Sequence, residues 1–415
     1  MKHFLSVLLT AVLTVTALCS CGAPVSDDLM RGTTANPVSA DSTAPEGSGD
    51  AAMTDFAVRL LQAAAEDGKN TVLSPLSVAS ALSMTANGAD GETLAQMEQV
   101  LGMPLSHLNE WMHTCLSSLP AEEDCRMHIA NAIWFTDDAR FSVREEFLQT
   151  NADLYGADIY RAPLDAAACR DINRWVSDHT DGMIRDILDE IPPDAVMYLV
   201  NALAFDAEWQ SVYRKTQIRD GTFTTGAGEE RDVDMMYGEE HQYLEDAYAT
   251  GFLKPYRGGR YAFAALLPKD GVSVSDYVAS LGGAALHEML SNPISTIVYT
   301  AIPQFETEYD TELSEVLSDM GMPDAFDGSV SDFSRLGHST DGNLFISRVK
   351  HKTFLSVDAR GTRAGAAAVI EMSDGAAAMP EEPKQVYLDR PFVCMLIDCE
   401  RGVPFFIGCV TDTGK

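Results

Sequence analysis

The chain has 415 residues, of which 46% are hydrophobic, so it can bury a large core. Its formal net charge is −33, which argues against the basic surfaces that bind nucleic acid or heparin-type polyanions. Because no shift in composition divides residues 52–412, we predict a single α+β domain rather than the two or three domains that the length alone would allow.

The N-terminal residues have the pattern of a signal peptide. A basic start at Lys2 and His3 precedes an apolar run from Phe4 to Leu18, which is short for a membrane span. Cys21 follows a small residue and has leucine three positions before it, as in a bacterial lipobox. We therefore predict export, removal of residues 1–20 and a lipid anchor on Cys21, giving a cell-surface or outer-membrane lipoprotein. The alternative is a secreted protein with an ordinary cleaved signal peptide.

The next segment, residues 21–51, is rich in Ser, Thr, Ala, Pro, Gly and Asp. Such a composition buries too little apolar surface to form a core. We predict a flexible tether that holds the domain, from residue 52 to residue 415, away from the membrane.

Helical periodicity marks several parts of the domain. Apolar residues recur at helical spacing in Phe56–Leu61, and Ser74-Pro75 marks the start of a second helix, since proline suits the first turn. A longer helical stripe is predicted through Trp175, Val176, Ile184, Ile187 and Leu188.

Strand and helix signals continue in the second half of the chain. Residues 262–267, which end at Pro268, and residues 295–302 are predicted strands. Asp310 or Thr311 is the predicted cap of a helix that closes at Gly321.

The cysteines and histidines give no sign of a metal site or an active site. The spacing of the cysteines that follow the signal peptide matches no metal-binding pattern, and we predict small core residues at Cys115, Cys125, Cys169, Cys394, Cys399 and Cys409. The sequence leaves a bridge between Cys115 and Cys125 open. His128, His179 and His351 are predicted to be packed structural histidines. Motifs of hydrolases and phosphate-binding enzymes are missing, and we predict no enzyme activity and no cofactor.

A long connection near the C-terminus, from Val357 to Met379, separates segments that are predicted to be buried strands. Connections of this length are uncommon in compact domains and are usually functional or disordered. If this one became a strand, its small residues would share one face, because alternate side chains point the same way; these residues are Thr362, Ala364, Ala366 and Ala368.

This connection resembles the hinge and reactive-centre loop of the serpins, and further motifs of that family follow each other in order along residues 52–412. They are Asn70–Ser77, Asn87–Thr93, Asn131–Phe135, Ile172–Val176, Leu199–Phe205 with Trp209, Asp389–Phe392 and Phe406–Gly408. The resemblance implies the serpin fold, with a large mixed β-sheet, further sheets, about eight or nine helices and an exposed reactive-centre loop at about residues 359–385.

The resemblance also implies a suicide-substrate inhibitor of serine proteases that acts as a monomer. A protease would form an acyl-enzyme with the loop, and the freed loop would insert into the large sheet from its hinge at Gly361, Thr362, Ala364, Ala366 and Ala368. Small uncharged residues that face inward, and the absence of proline up to Met379, favour this role. A non-inhibitory serpin that acts as a binding or chaperone-like protein is the alternative.

Positions that control sheet opening in this family match Ser74, Ser77, Asn201 and His351, a polar group under the sheet, and Trp209 at its upper end. Buried polar groups need mutual hydrogen bonds, so such a group can hold the sheet closed.

The sequence defines the scissile bond only as a range of residues. Family spacing from Gly361 places it at Gly375-Ala376, but the length of the loop extends the range to residues 372–379. The candidates in this range are Met372, Gly375, Ala376, Ala377, Ala378 and Met379. Small apolar residues suit elastase-like or subtilisin-like proteases, whereas no Arg or Lys lies between Arg363 and Lys384 to suit a trypsin-like one.

Overall fold

The computed structural model describes residues 24–38, 48–122, 125–139, 141–192, 195–340, 342–362 and 382–414. Within these residues the domain is built from three β-sheets and nine α-helices, with two short 3₁₀ turns, so the α+β prediction is confirmed. The helices are α1 Ser48–Ala64, α2 Pro75–Ala86, α3 Gly91–Leu101, α4 Leu105–Ser117, α5 Glu145–Tyr155, α6 Ala166–His179, α7 Val274–Ser280, α8 Gly283–Ser291 and α9 Ser314–Asp319.

The strands alternate irregularly with these helices. In chain order they are β1 Asp27–Asp28, β2 Thr71–Leu73, β3 Ala121–Glu122, β4 Cys125–Thr136, β5 Phe141–Val143, β6 Asp158–Ala162, β7 Met197–Glu208, β8 Ile218–Thr224, β9 Glu230–Glu245, β10 Ala249–Pro255, β11 Tyr261–Pro268, β12 Ile294–Pro303, β13 Phe305–Glu312, β14 Gly337–Ser339, β15 Arg348–Val357, β16 Gly361–Thr362, β17 Lys384–Tyr387, β18 Phe392–Asp398 and β19 Val403–Val410.

The first large sheet has the strand order β1-β6-β4-β7-β16-β15-β13, with β3 added beside β4. Side chains on one of its faces, such as Trp134 and Tyr198, pack against Ile172 and Val176 of α6. The opposite face packs on α2 as part of the main core. The sheet is therefore covered on both sides, which explains the nearly continuous apolar runs in β4 and β7.

The second sheet has the order β17-β12-β9-β10-β11-β18-β19-β2, with β8 added beside β9. Its central strands β11, β18 and β19 are buried along their whole length, and α1 packs on β19. The predicted strands at residues 262–267 and 295–302 correspond to β11 and β12. A third sheet pairs only β14 with β5.

Helix α2 begins as the sequence predicts, whereas two other helices differ. Ser74 is the N-cap of α2, and its hydroxyl accepts a hydrogen bond from the amide of Ser77. Helix α6 ends at His179, because Asp181 and Gly182 adopt positive φ values of 49° and 71°. Ile184, Ile187 and Leu188 lie in the loop that follows, but they are buried beside the same helix. The apolar pattern therefore indicates that these residues are buried and does not indicate that they are helical.

Helix α9 also starts later than predicted. Asp310 and Thr311 belong to strand β13, and the N-cap position is held by Leu313, which makes no side-chain capping bond. The pairing of β13 with β15 extends through Glu312. Because Asp310 and Thr311 are part of this pairing, they cannot cap the helix.

Five of the six cysteines in the described residues are buried, as predicted for core residues. No bridge joins Cys115 to Cys125. Burial raises the pKa of the Cys115 and Cys409 thiols to about 12, so neither is a nucleophile near neutral pH.

The N-terminal segment at residues 24–38 belongs to the predicted tether, but it lies against the domain. Asp27 and Asp28 pair with β6 as the edge strand of the first sheet. The Asp171 carboxylate of α6 accepts hydrogen bonds from the amides of Val25 and Ser26 and from the Ser26 hydroxyl. Asp153 of α5 accepts from the amide of Asn36 at 2.7 Å. Residues with the composition of a linker are thus held by carboxylates of the domain.

Candidate functional site

The candidate site lies where β7 and β15 end together at one edge of the first sheet, which we call the upper edge. Beyond Val357 a tight turn reverses the chain. The Asp358 carboxylate accepts from the amides of Arg360 and Gly361 at 2.7 and 3.2 Å, and the Asp358 amide donates to the Gly361 carbonyl at 3.0 Å. The turn returns the chain antiparallel to β15, so that Thr362 pairs with Val357.

The two residues of β16, Gly361 and Thr362, lie between β7 and β15. They pair with Glu208 and Ala207 of β7, while β15 pairs with β16 on the other side. A Cβ atom on Gly361 would lie 1.9 Å from the Ala207 carbonyl oxygen, so only glycine fits there. The start of the predicted hinge is therefore already a strand of the sheet.

The side chain of Thr362 points into the core, as the alternation predicts. It is buried, and its hydroxyl hydrogen-bonds with the hydroxyl of Tyr256. The ring of Tyr256 stacks on that of Trp209, with centroids 4.5 Å apart and planes inclined by 10°. Tyr256 was missed in the sequence, where nothing distinguishes it from an ordinary core aromatic residue.

Trp209 binds the turn that precedes β16. Its indole N–H donates to the Asp358 carbonyl at 2.9 Å, and its amide donates to the Arg360 carbonyl at 2.7 Å. The amide of Tyr213 donates to the Ala359 carbonyl at 2.8 Å. The three consecutive carbonyls of residues 358–360, in the turn before the hinge, are thus held by the segment that follows β7. This places Trp209 at the upper end of the sheet, as the resemblance implies.

Further down the sheet, His351 of β15 joins the strands to the helix beneath them. Its Nε2 accepts from the Ser74 amide at 3.1 Å, so Nδ1 carries the proton and donates to the Asn201 amide oxygen at 2.6 Å. Asn201 in turn donates to Asn131 of β4 at 2.6 Å. Complete burial lowers the pKa of His351 to about 3, so the ring is neutral.

This arrangement brings together Ser74, Asn201 and His351 as the sequence predicts, but the side chain of Ser77 does not join their hydrogen bonds. The amide of Ser77 donates to the Ser74 hydroxyl, while its own buried hydroxyl has no partner among the described residues. Asn131 completes the chain of hydrogen bonds and was missed. An asparagine on the inward face of an apolar strand is the signal that would have revealed it.

Other predicted site residues lie outside the described residues. These are Ala364, Ala366 and Ala368 of the hinge, the candidates for the scissile bond at residues 372–379, and Cys21. Within the described ranges, no group of acidic, histidine or cysteine side chains could hold a metal ion, and no helix is both long and apolar enough to cross a membrane.

Comparison with known proteins agrees with this geometry. The family model "Serpin (serine protease inhibitor)" matches residues 51–413. The chain belongs to the serpin family. Members of this family are in general inhibitors that act on target proteases, and some are non-inhibitory.

Among its relatives, an uncharacterized serpin-like protein of Thermococcus kodakarensis is 32% identical over 86% of this chain and 84% of its own length. Leukocyte elastase inhibitor A of Mus musculus is 30% identical over 86% of this chain and 98% of its own. The solved structure of the thermophilic serpin tengpin in the native state has a TM-score of 0.87 and 43% identity, and covers 93% of this chain and 99% of that one.

Proposed function

We propose that this serpin is a suicide-substrate inhibitor of serine proteases with a small apolar specificity pocket. The protease serine would attack one peptide bond of the loop, forming an ester with the N-terminal part and releasing the C-terminal part as the amine. The freed loop would then insert between β7 and β15 and carry the protease with it.

The observation that carries this proposal is the position of β16. Gly361 and Thr362 already lie in register between β7 and β15, so the rest of the loop would extend an existing strand rather than start a new one. The native form of tengpin gives a higher TM-score than its latent form, 0.87 against 0.79, which agrees with a sheet that is ready for insertion but not filled.

The target class is inferred from the loop composition and from one relative. The candidates for the scissile bond are apolar or small, and no basic residue lies between Arg363 and Lys384. Leukocyte elastase inhibitor A, 30% identical, is named for an elastase. We therefore propose an elastase-like or subtilisin-like protease as the target.

The test is to mix residues 22–415 with pancreatic elastase, neutrophil elastase and subtilisin at several molar ratios. We expect a complex that survives denaturing electrophoresis at the summed mass, and a released C-terminal fragment whose first residue, found by mass spectrometry, identifies the scissile bond.

The matched control for this test is Thr362→Arg, which places a charge where the structure buries a small side chain. This variant should be cleaved at the same bond without forming the complex. If the wild-type chain is cleaved by all three proteases and never trapped, the inhibitor proposal is wrong and the non-inhibitory alternative takes its place.

We also propose that Cys21 carries a lipid anchor on the exported protein. The lipobox-like pattern supports this, with the small residue Ser20 directly before Cys21 and Leu18 three positions before it. The mass of the mature protein from the membrane fraction should include a diacylglyceryl group on Cys21. Cys21→Ser should move the protein into the medium, and an unmodified Cys21 in the wild type would contradict the anchor.

A further inference from the structure

A buried lysine lies directly beneath the segment that holds the hinge. Lys254, on β10, has a side chain only 3% exposed, and its ammonium lies 2.7 Å from the carboxylate of Glu240 on β9, which is 9% exposed. Burial raises the pKa of Glu240, while Lys254 opposes that shift. Removing two charges from water is expensive, and apolar residues of similar volume often stabilise a core as well as such a pair does.

Within the part of the chain that the structure describes, this ammonium makes further contacts with residues 209–213. It donates to the Ser211 carbonyl at 3.3 Å, and it lies 4.4 Å from the ring centroid of Tyr213 and 5.2 Å from that of Trp209. Cation–π contacts are strongest where the cation is desolvated, as it is here. One charge therefore fixes a backbone carbonyl and two aromatic rings of the same short segment.

That segment is the part of the chain that binds the hinge. Trp209 and Tyr213 donate three hydrogen bonds to the carbonyls of residues 358–360, which directly precede β16. The contacts form a continuous path from Glu240 through Lys254 and residues 209–213 to the hinge.

We infer that Lys254, with Glu240 as its counter-charge, is a positioning residue for the hinge. The ammonium holds residues 209–213 in the geometry that retains β16 between β7 and β15. An apolar side chain at this position would fill the volume but would leave the Ser211 carbonyl without its donor. The inference rests on the proposed function, because the hinge matters to inhibition as the start of the inserting strand.

The test measures amide exchange in the full mature chain and needs no target protease. In the variant Lys254→Met with Glu240→Gln, both charges are removed at nearly constant volume. We expect the amides of Trp209 and Tyr213 to exchange about tenfold faster than in the wild type, as the loss of one charge-assisted hydrogen bond would allow.

A second lysine–glutamate pair provides the matched control. Lys269 lies 3.2 Å from Glu245, which is five residues from Glu240 on β9, and donates to the Asp246 carbonyl at 2.8 Å, but its side chain is 38% exposed and neither bond reaches residues 209–213. Lys269→Met with Glu245→Gln should leave exchange at residues 209–213 unchanged. A general loss of stability would instead accelerate exchange across the whole domain.

Unchanged exchange at Trp209 and Tyr213 in the neutral-pair variant would overturn the inference. If that variant does not fold, Glu240→Gln alone keeps the ammonium but removes its counter-charge. We then expect exchange of the same two amides to be a few times faster, and unchanged exchange would again overturn it. The proposed function has its own test, because it is contradicted if the wild type forms no trapped protease complex. That outcome would not change the result of the exchange experiment.

Discussion

Gly361 has no room for a side chain, since its Cβ would lie 1.9 Å from the backbone oxygen of Ala207. Gly361→Ala must therefore push β16 out from between β7 and β15, and we expect a loss of about 1–3 kcal/mol in the free energy of unfolding. Urea denaturation measures it. Gly226→Ala is the control, because its φ is not positive and its added Cβ would lie 3.5 Å from the nearest atom, on Thr411, which is an ordinary contact. Equal stability of the two variants would mean that β16 contributes nothing to the native state.

His351 gives the native state a defined dependence on pH. The unfolded chain binds a proton at this residue below about pH 6.5, whereas the native ring stays neutral down to a pKa of about 3. The stability that His351 contributes is therefore fully present above pH 6.5 and falls as the pH is lowered, by on the order of 1 kcal/mol for each pH unit. In His351→Gln, which can make both hydrogen bonds, we expect a shallower fall between pH 7 and pH 5 in urea denaturation.

A second histidine provides a control of opposite sign. The Asp158 carboxylate, 3.3 Å away, raises the pKa of His179. The contribution of His179 to the free energy of unfolding is fully present below pH 6.5 and is lost as the pH rises through the raised pKa. His179→Gln should therefore steepen the fall between pH 7 and pH 5. If stability falls less steeply with decreasing pH in both His351→Gln and His179→Gln, the pH dependence arises from other groups.

The N-terminal segment at residues 24–38 is held to helix α6 chiefly through one carboxylate. Asp171 accepts three hydrogen bonds from Val25 and Ser26. In Asp171→Ala we expect faster amide exchange in β1 and in the facing residues of β6, with about 1–3 kcal/mol lost from the local opening free energy. Asp178→Ala, at an exposed position on the same helix, should change neither. If exchange in β1 stays as slow in Asp171→Ala, other contacts hold the segment.

The sequence predicted most elements of the fold because their motifs are local. The Ser74-Pro75 start of α2 and the strands β11 and β12 follow from neighbouring residues and simple periodicity. The packing of residues 24–38 could not be predicted in this way, since it depends on Asp153 and Asp171, more than a hundred residues away. Lys254 was missed for a related reason, because its partners on β9 and after β7 meet only in the folded chain.

Across the whole molecule, the intact chain should be less stable than the chain cleaved in its loop. Once cleaved, the loop can add a complete hydrogen-bonded strand to the first sheet, and several bonds of ~1 kcal/mol each should raise the unfolding temperature by on the order of 10 °C or more. Calorimetry before and after limited proteolysis measures this change. Thr362→Arg, cleaved in the same way, should show no increase, and a wild-type chain without one would contradict insertion.

The pairing around β16 explains why insertion of the loop would make the first sheet more stable. Below the hinge, β7 and β15 are joined directly and in parallel through residue pairs from Tyr198–Arg348 to Leu203–Thr353. β16, by contrast, is antiparallel to both neighbours. Each further residue pair opened by the loop would therefore exchange one parallel pairing for two antiparallel ones, which are the slightly stronger kind. On the proposed mechanism, insertion would therefore extend the antiparallel pairing one residue at a time from the position that β16 already occupies.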